Sequence, residues 1–476
     1  MERWPRNRGA RGARLVAAAA GLGLLAGTIL AADEVRPFST WYYAFAWYPV
    51  LLLLDAGVAA RAGRYPLLGR PAFAVSLWLW SVPVWLLFEL LNFRVANWYY
   101  VFAPGGLALR RLNAFLAFGT VLPAIFLGHR TLEGLGLFRG ARGPRLRARR
   151  WRGVLPPAGG LFLGLAMWRP LLFFPLVWGG LTLLLEPWNY RRDPGRSLLG
   201  DLTRGRYGRL LRLLATGAGI GLLWELFNSF SETRWIYTVP GLETGKLFEM
   251  PVLGYLGFPV FALDCFVIYQ ALVNVGIARP GWGSGRSSER EGEGAAAEGI
   301  PAERSARPVE GTELRRVRNT AAWSVAALFA LTVLAGMDRW TVDSVYPRLR
   351  DLPGVEGTAV LARLQGAGLG EVRELAASDP ADLADRTDLP ATEASRLVER
   401  AQLALLRGLG TTNAAALVDS GIGSVCALAR SAPPVVAGAI RARRSDPRAG
   451  HVPRIRGWLR AARRECERSA ARSESG

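Results

Sequence analysis

The 476-residue chain contains only three cysteines, two histidines and one lysine. Each scarcity excludes something. Cys265, Cys426 and Cys466 are too few for a small domain built on disulfides, and they show no metal-ligand spacing. His129 and His451 are too few for a His-based metal centre, so neither metal nor cofactor is expected. Because Lys246 is the only lysine, almost all of the net charge of +21 comes from arginine. That bias fits GC-rich coding and is not by itself a sign of nucleic acid. The chain is not poor in apolar mass, since 51% of its residues are hydrophobic and 17 are Trp, which excludes a disordered protein.

The apolar residues fall into runs of the length a bilayer requires, about 20 residues per helix. They lie near 15–32, 40–60, 72–92, 113–129, 171–187, 210–228, 251–275 and 319–337, with a shorter run at 154–168 that contains Pro156 and Pro157. Arginine placement orients them, because short cytoplasmic loops retain Lys and Arg. With the N-terminus inside and all nine runs crossing, the segments up to residue 250 put 23 basic residues inside and seven outside. Without a crossing at 154–168, the Arg-rich loop 188–212 would fall outside. Nine crossings are therefore expected in a bacterial inner membrane, with the N-terminus inside and the C-terminal part outside. The first run ends in Ile29-Leu30-Ala31-Ala32-Asp33 without a small-x-small cleavage site, and is expected to be a retained signal anchor.

The membrane part is duplicated. Glu89-x-x-Asn92, Trp98-x-Tyr100 and Pro104 return as Glu225-x-x-Asn228, Trp235-x-Tyr237 and Pro240, at an offset of 136 or 137 residues. Upstream, Arg36-Pro37, Trp47 and Asp55 answer to Arg169-Pro170, Trp178 and Glu186; downstream, Pro123 answers to Pro259. Two four-helix units follow, about 15–130 and 154–275, related by an axis along the membrane normal.

Ionisable residues inside a bilayer need a cavity, a partner or a task. Glu89, Asn92, Glu225, Asn228 and Glu249 are expected at one outer level, flanked by Trp98, Tyr100, Trp235 and Tyr237. A symmetric polar pocket for a cation, a headgroup or the polar end of a lipophilic substrate is one use of them, and two close carboxylates sharing a proton could act as acid and base. Helix-to-helix hydrogen bonding with an interfacial aromatic belt is the other. Asp55, Glu186 and Asp264 are expected near the cytoplasmic side, where Arg could pair with them.

Residues 276–318 carry eight Arg and seven Glu among Gly, Ser and Ala, the composition of a flexible linker. A ninth helix is expected at 319–338. Beyond it, the turn Gly354-Val355-Glu356-Gly357 with Gly366-Ala367-Gly368 is echoed by Gly408-Leu409-Gly410 with Ser420-Gly421-Ile422. The matching glycines Gly368 and Gly421 are 53 residues apart. This pattern resembles a tandem helix-hairpin-helix domain of a bacterial family of unknown function. Phe248-Glu249-Met250-Pro251-Val252-Leu253-Gly254-Tyr255-Leu256-Gly257-Phe258-Pro259 resembles stretches of uncharacterised bacterial polytopic proteins.

The helix-hairpin-helix resemblance implies that Gly354, Gly357, Gly408 and Gly410 are candidate phosphate-binding hairpins, where backbone N–H groups meet nucleic acid without reading sequence. Charge divides the region. Residues 341–440 hold nine Arg against twelve acids, whereas 441–472 hold eleven Arg against three. The expected fold class is all-α: a polytopic helical membrane protein with a duplicated four-helix unit, a ninth helix, a tandem helix-hairpin-helix domain over 341–440 and an Arg-rich tail over 441–476. Two functions are compatible with it. One is a membrane scaffold or receptor whose residues 341–476 bind protein or DNA. The other is a membrane-embedded enzyme or carrier acting on a lipophilic or cationic substrate at the duplicated Glu/Asn site.

Overall fold

The computed structural model describes residues 6–239, 245–282, 312–355, 357–445 and 450–475; Pro240, Glu356 and the linker residues 283–311 lie outside the described residues. The chain is mostly helical. In order come α1 (Arg6–Ala32), α2 (Tyr42–Ala62), α3 (Pro71–Val95), α4 (Leu107–Gly119), α5 (Val121–Gly134), α6 (Ala148–Trp168), α7 (Val177–Arg192), α8 (Gly208–Phe230), α9 (Gly257–Val275) and α10 (Thr312–Trp340). Helices α2 and α3 are apolar around nearly their whole circumference, as helices without an aqueous face must be. Their ends are set locally: Gly63 closes α2 with φ of 74°, and Pro71 opens α3 at a position where its missing N–H costs nothing.

Among the described residues, eight stretches are long and apolar enough to cross a membrane, with α4 and α5 counting as one nearly continuous helix, Leu107–Gly134. Helix α6 is not among them. It is 21 residues long, but Arg149, Arg150 and Arg152 in its first turns, together with Pro156, Pro157 and its glycines, dilute its apolar character. It nevertheless runs the height of the helical body. At one end Arg94, in the last turn of α3, donates to the Trp168 carbonyl at 3.2 Å. At the other, the loop before α6 pairs with the turn before α8, with Gly143 N–H donating to the Gly205 carbonyl at 3.2 Å and Leu146 N–H to the Leu202 carbonyl at 3.1 Å.

Two short strands lie across the end of the body opposite the Arg-rich loops, β1 (Trp98–Val101) after α3 and β2 (Arg234–Tyr237) after α8. They pair antiparallel, with Trp98 opposite Tyr237 and Tyr100 opposite Trp235. Tyr99 therefore faces Ile236, its own counterpart in the repeat, as two copies related by a two-fold axis would do. Alternation along the ribbon gives it two faces. Trp98, Tyr100, Trp235 and Tyr237 point into the helical body; Tyr99, Val101 and Ile236 form a small cluster on the other side.

The segment before and into α10 is more ordered than a linker composition implies at its two ends. Trp282 is buried against Phe126 and Phe266, and α10 already begins at Thr312. After α10, residues 341–346 run beside β1: Tyr100 N–H donates to the Thr341 carbonyl at 2.7 Å and Tyr346 N–H to the Ala103 carbonyl at 2.9 Å.

The C-terminal domain contains α11 (Thr358–Gly366), α12 (Val372–Ala377), α13 (Pro380–Thr387), α14 (Ala391–Leu405), α15 (Gly410–Asp419), α16 (Val425–Arg430), α17 (Pro433–Arg443) and α18 (Val452–Ser475). The turns after α11 and α15 have the same construction. Gly368 and Gly421 both have φ of 82°, and Leu369 and Ile422 each donate back to a carbonyl five residues earlier. Helix α18 belongs to this domain's core. Ile455, Trp458, Leu459 and Ala462 are buried with Leu352, Leu364 and Leu397, and Cys466 is disulfide-bonded to Cys426 of α16.

Candidate functional site

The duplicated residues lie under the ribbon, and each type has its own task. Asn92, in the last turn of α3, accepts at Oδ1 from Asn97 N–H at 2.9 Å, and its Nδ2 donates to the Trp98 carbonyl at 2.9 Å. Asn228 repeats this with Trp235, accepting its N–H and donating to its carbonyl, both at 2.9 Å. An amide carries both a donor and an acceptor, so one side chain can hold a turning backbone at two points. The asparagines therefore fix where each strand leaves its helix.

Glu89 and Glu225 hold the strand side chains. Glu89 Oε1 accepts from Trp85 Nε1 at 3.0 Å, Trp98 Nε1 at 2.9 Å and Tyr100 Oη at 2.5 Å. Glu225 Oε1 accepts from Trp235 Nε1 at 3.1 Å and Tyr237 Oη at 3.0 Å. Both carboxylates are fully buried, and the second oxygen of each, Oε2, has no hydrogen-bond partner. Burial, with the neighbouring carboxylate adding to it, pushes the Tyr100 and Tyr237 hydroxyls well above their ordinary range. They stay protonated and donate. The aromatics flanking the motif are thus ligands of its carboxylates, whatever additional contact they make with a bilayer.

Those aromatic rings form part of the wall of a cavity of about 150 Å3 between the two halves. Trp85, Trp98 and Tyr100 come from the first half, and Trp224, Trp235 and Tyr237 from the second. Trp178 of α7 and Phe261 of α9 complete an almost continuous aromatic lining, with Trp178 stacked on Trp98 at 6.2 Å and Phe261 edge-on to Trp85 at 5.7 Å. Charged residues of α4 and α10 also line it, where Arg110 Nε lies 2.6 Å from Asp338 Oδ1 and Arg111 Nε lies 3.8 Å from Oδ2, and Thr40, Asn97, Thr233 and Arg234 add further polar groups. Trp178 stood out in the sequence only as the repeat counterpart of Trp47, and Trp85, Arg110, Arg111 and Asp338 were not singled out. Trp85 could have been, since it precedes Glu89 by one helical turn.

Glu249 does not join the other two carboxylates. It pairs with Arg407 of the C-terminal domain at 2.9 Å. Asp55, Glu186 and Asp264 also find backbone partners in place of arginine. Asp55 accepts from Leu67 and Leu68 N–H at 2.8 and 2.9 Å, and Glu186 accepts from Leu199 N–H at 2.7 Å, each closing the loop that follows its own helix. Asp264 lies higher in the body than expected. It accepts from Gly179 N–H and Thr182 N–H, both at 2.8 Å, at the break in α7, and so caps a helix start from a neighbouring helix.

The candidate phosphate hairpins have unequal surroundings. Gly354 and Gly357 precede α11, with φ of 88° and 154°. Gly408 precedes α15 and Gly410 is its first residue, and their outer surface is covered. A Cβ on Gly408 would come within 2.5 Å of Val101 Cβ in the ribbon, and one on Gly410 within 2.6 Å of Ser344 Cβ. Ser344 Oγ donates to the Gly408 carbonyl at 2.6 Å and accepts from Phe102 N–H at 3.1 Å. Ion pairs surround this contact: Arg373 bridges Glu34 and Glu232, Arg36 pairs with Glu371 at 3.1 Å, and buried Asp343 takes Arg444 at 3.0 Å and Arg454 at 2.7 Å. The second hairpin thus meets side chains of the protein's own ribbon and of the segment after α10.

Residues 362–463 match the model of a family described as Domain of unknown function (DUF4332), which places the C-terminal domain in a family without an assigned activity. The match extends into α18, in keeping with that helix's place in the domain core. No curated protein and no solved structure matches the chain.

Proposed function

We propose that the chain is a bacterial inner-membrane protein crossing nine times, whose cavity between the duplicated halves binds a lipophilic ligand at the outer level of the bilayer. The cavity carries this proposal: both copies of the repeat contribute the same Trp-x-Tyr pair to one apolar, aromatic wall, and both anchor it with a buried Glu. Helix packing alone would not need the two copies to converge on a shared space. The ninth crossing is α6, supported by its contacts at both ends of the body, and it leaves the C-terminal domain outside, on the ribbon side.

In this arrangement the C-terminal tandem helix-hairpin-helix domain is a protein-contact module whose contact is in cis. DNA binding through Gly408 and Gly410 is disfavoured by Val101 and Ser344, which occupy the space a phosphate would need.

Ligand binding is tested with a brominated dodecyl maltoside, which quenches the tryptophan fluorescence of the purified protein. Quenching should have a saturable component, and Ala117→Trp, which fills the cavity from α4, should remove it. Quenching that rises linearly with amphiphile, in both proteins alike, would sink the ligand-binding role.

A further inference from the structure

Two sets of charges on the cavity and behind it bear on the ligand's polar end. Glu89 and Glu225 are fully buried, each has one oxygen without a hydrogen-bond partner, and neither forms an ion pair with Lys or Arg among the described residues. Their other oxygens draw on the N–H and O–H edges of five rings, of Trp85, Trp98, Tyr100, Trp235 and Tyr237. A ring that donates from its edge to an anion gains electron density on its face, and aromatic faces attract organic cations. The five rings backed by Glu89 and Glu225 therefore favour positive charge against their faces, while Arg234, beside Trp235 in the same wall, acts the other way.

The α4–α10 wall favours the opposite sign. Arg110 and Arg111 share the single carboxylate of Asp338, so one guanidinium charge there is in surplus. Guanidinium forks suit phosphate and carboxylate groups. The rest of the lining is mainly apolar, with Phe118, Phe258, Phe261 and Leu334 among it, and Thr40, Asn97, Thr233 and Arg234 add polar groups at the ribbon end.

We propose that the cavity takes a zwitterionic amphiphile, with its ammonium among the rings backed by Glu89 and Glu225 and its phosphate or carboxylate on Arg110 and Arg111. The proposal rests on the ligand-binding role given above and adds the chemistry of the head.

It is tested with four brominated dodecyl amphiphiles that differ only in the head: phosphocholine, trimethylammonium, phosphate and maltoside. The phosphocholine form should bind at least about tenfold more tightly than the maltoside. Glu89→Gln with Glu225→Gln should weaken the phosphocholine and trimethylammonium forms about tenfold and leave the maltoside unchanged; Arg110→Gln with Arg111→Gln should do the same to the phosphocholine and phosphate forms. The order among heads in the unaltered protein needs no variant, so it decides even where a variant fails to fold. Free phosphocholine that competes would assign the site to the head alone; free phosphocholine that fails to compete, while the amphiphile binds, would assign it to a lipid. Equal binding of all four heads overturns the zwitterion proposal and leaves the ligand-binding role standing, whereas no saturable binding of any head removes both.

Discussion

Replacing Gly408 with Ala perturbs the contact between the C-terminal domain and the ribbon at its tightest point. Gly408 has φ of 77°, a conformation that costs a residue with a Cβ roughly 1–2 kcal/mol. The new methyl would also meet Val101 Cβ at 2.5 Å and both Val101 methyls within 2.7 Å, and such overpacking costs about 1–3 kcal/mol. Only the second cost acts on docking. At about 1.4 kcal/mol per tenfold, it should raise the undocked fraction by roughly 5- to 150-fold. Ser344, buried between the hairpin and the ribbon, reports on undocking. In a Ser344→Cys background, labelling by a hydrophilic thiol reagent should accelerate by that factor, because Cys265 is buried and the other two cysteines are bonded to each other. Gly421→Ala is the control, since Gly421 has φ of 82° and open space around it, so it carries the backbone strain without the collision. Val101→Gly, which removes the atoms that collide, should return the labelling rate of Gly408→Ala most of the way. Equal labelling in Gly408→Ala and Gly421→Ala would refute the docking contact as the source of the effect.

Two further outcomes can be measured by thermal unfolding of the full chain in detergent. Asn92→Ala and Asn228→Ala should each lower stability by about 1–3 kcal/mol for each backbone group left buried and unpaired, and to similar extents, because the two side chains make matching bonds; an unchanged melt in either would count against the asparagines as anchors of the ribbon. Replacing Cys426 and Cys466 with Ser should cost about 4 kcal/mol for a bridge spanning 40 residues, and in cells the native pair should be found oxidised if the domain lies outside the cytoplasm as proposed; a reduced pair in cells would contradict the proposed nine-crossing orientation.

The duplicated motif was legible because both copies retain the same residues at nearly the same spacing. Its purpose was not, since the ribbon is two four-residue strands whose pairing joins segments more than 130 residues apart, and no local pattern marks it. Trp98 and Tyr237 read equally well as residues of an interfacial belt until their bonds to Glu89 and Glu225 are seen. Depth along a helix grouped Glu249 with those carboxylates, but its partner Arg407 lies 158 residues away in another domain. Asp264 was misplaced for a related reason: the break in α7 that it caps, with Gly179 at φ of 83°, is a tertiary feature. The apolar run 154–168 looked short because the first turn and a half of α6 carries Arg149, Arg150 and Arg152 around Trp151, and a hydropathy window discounts it. The basic charge of the last segment suggested a free tail, yet Ile455, Trp458, Leu459 and Ala462 recur on one side of α18, and that spacing was available in the sequence.

The ribbon also constrains motion. Transporters that alternate their access rock one half against the other around a fixed site, and the gap between halves must open on each side in turn. Here the halves are stitched together across one side by a backbone ladder, and the 341–346 strap adds hydrogen bonds to the same strand. Opening that side would break the ladder between β1 and β2. A protein built in this way behaves at that end as a single hinge-less block. A pump that must open its two sides in turn would have to unzip this ladder in every cycle, which a fixed receptor for the proposed ligand would not.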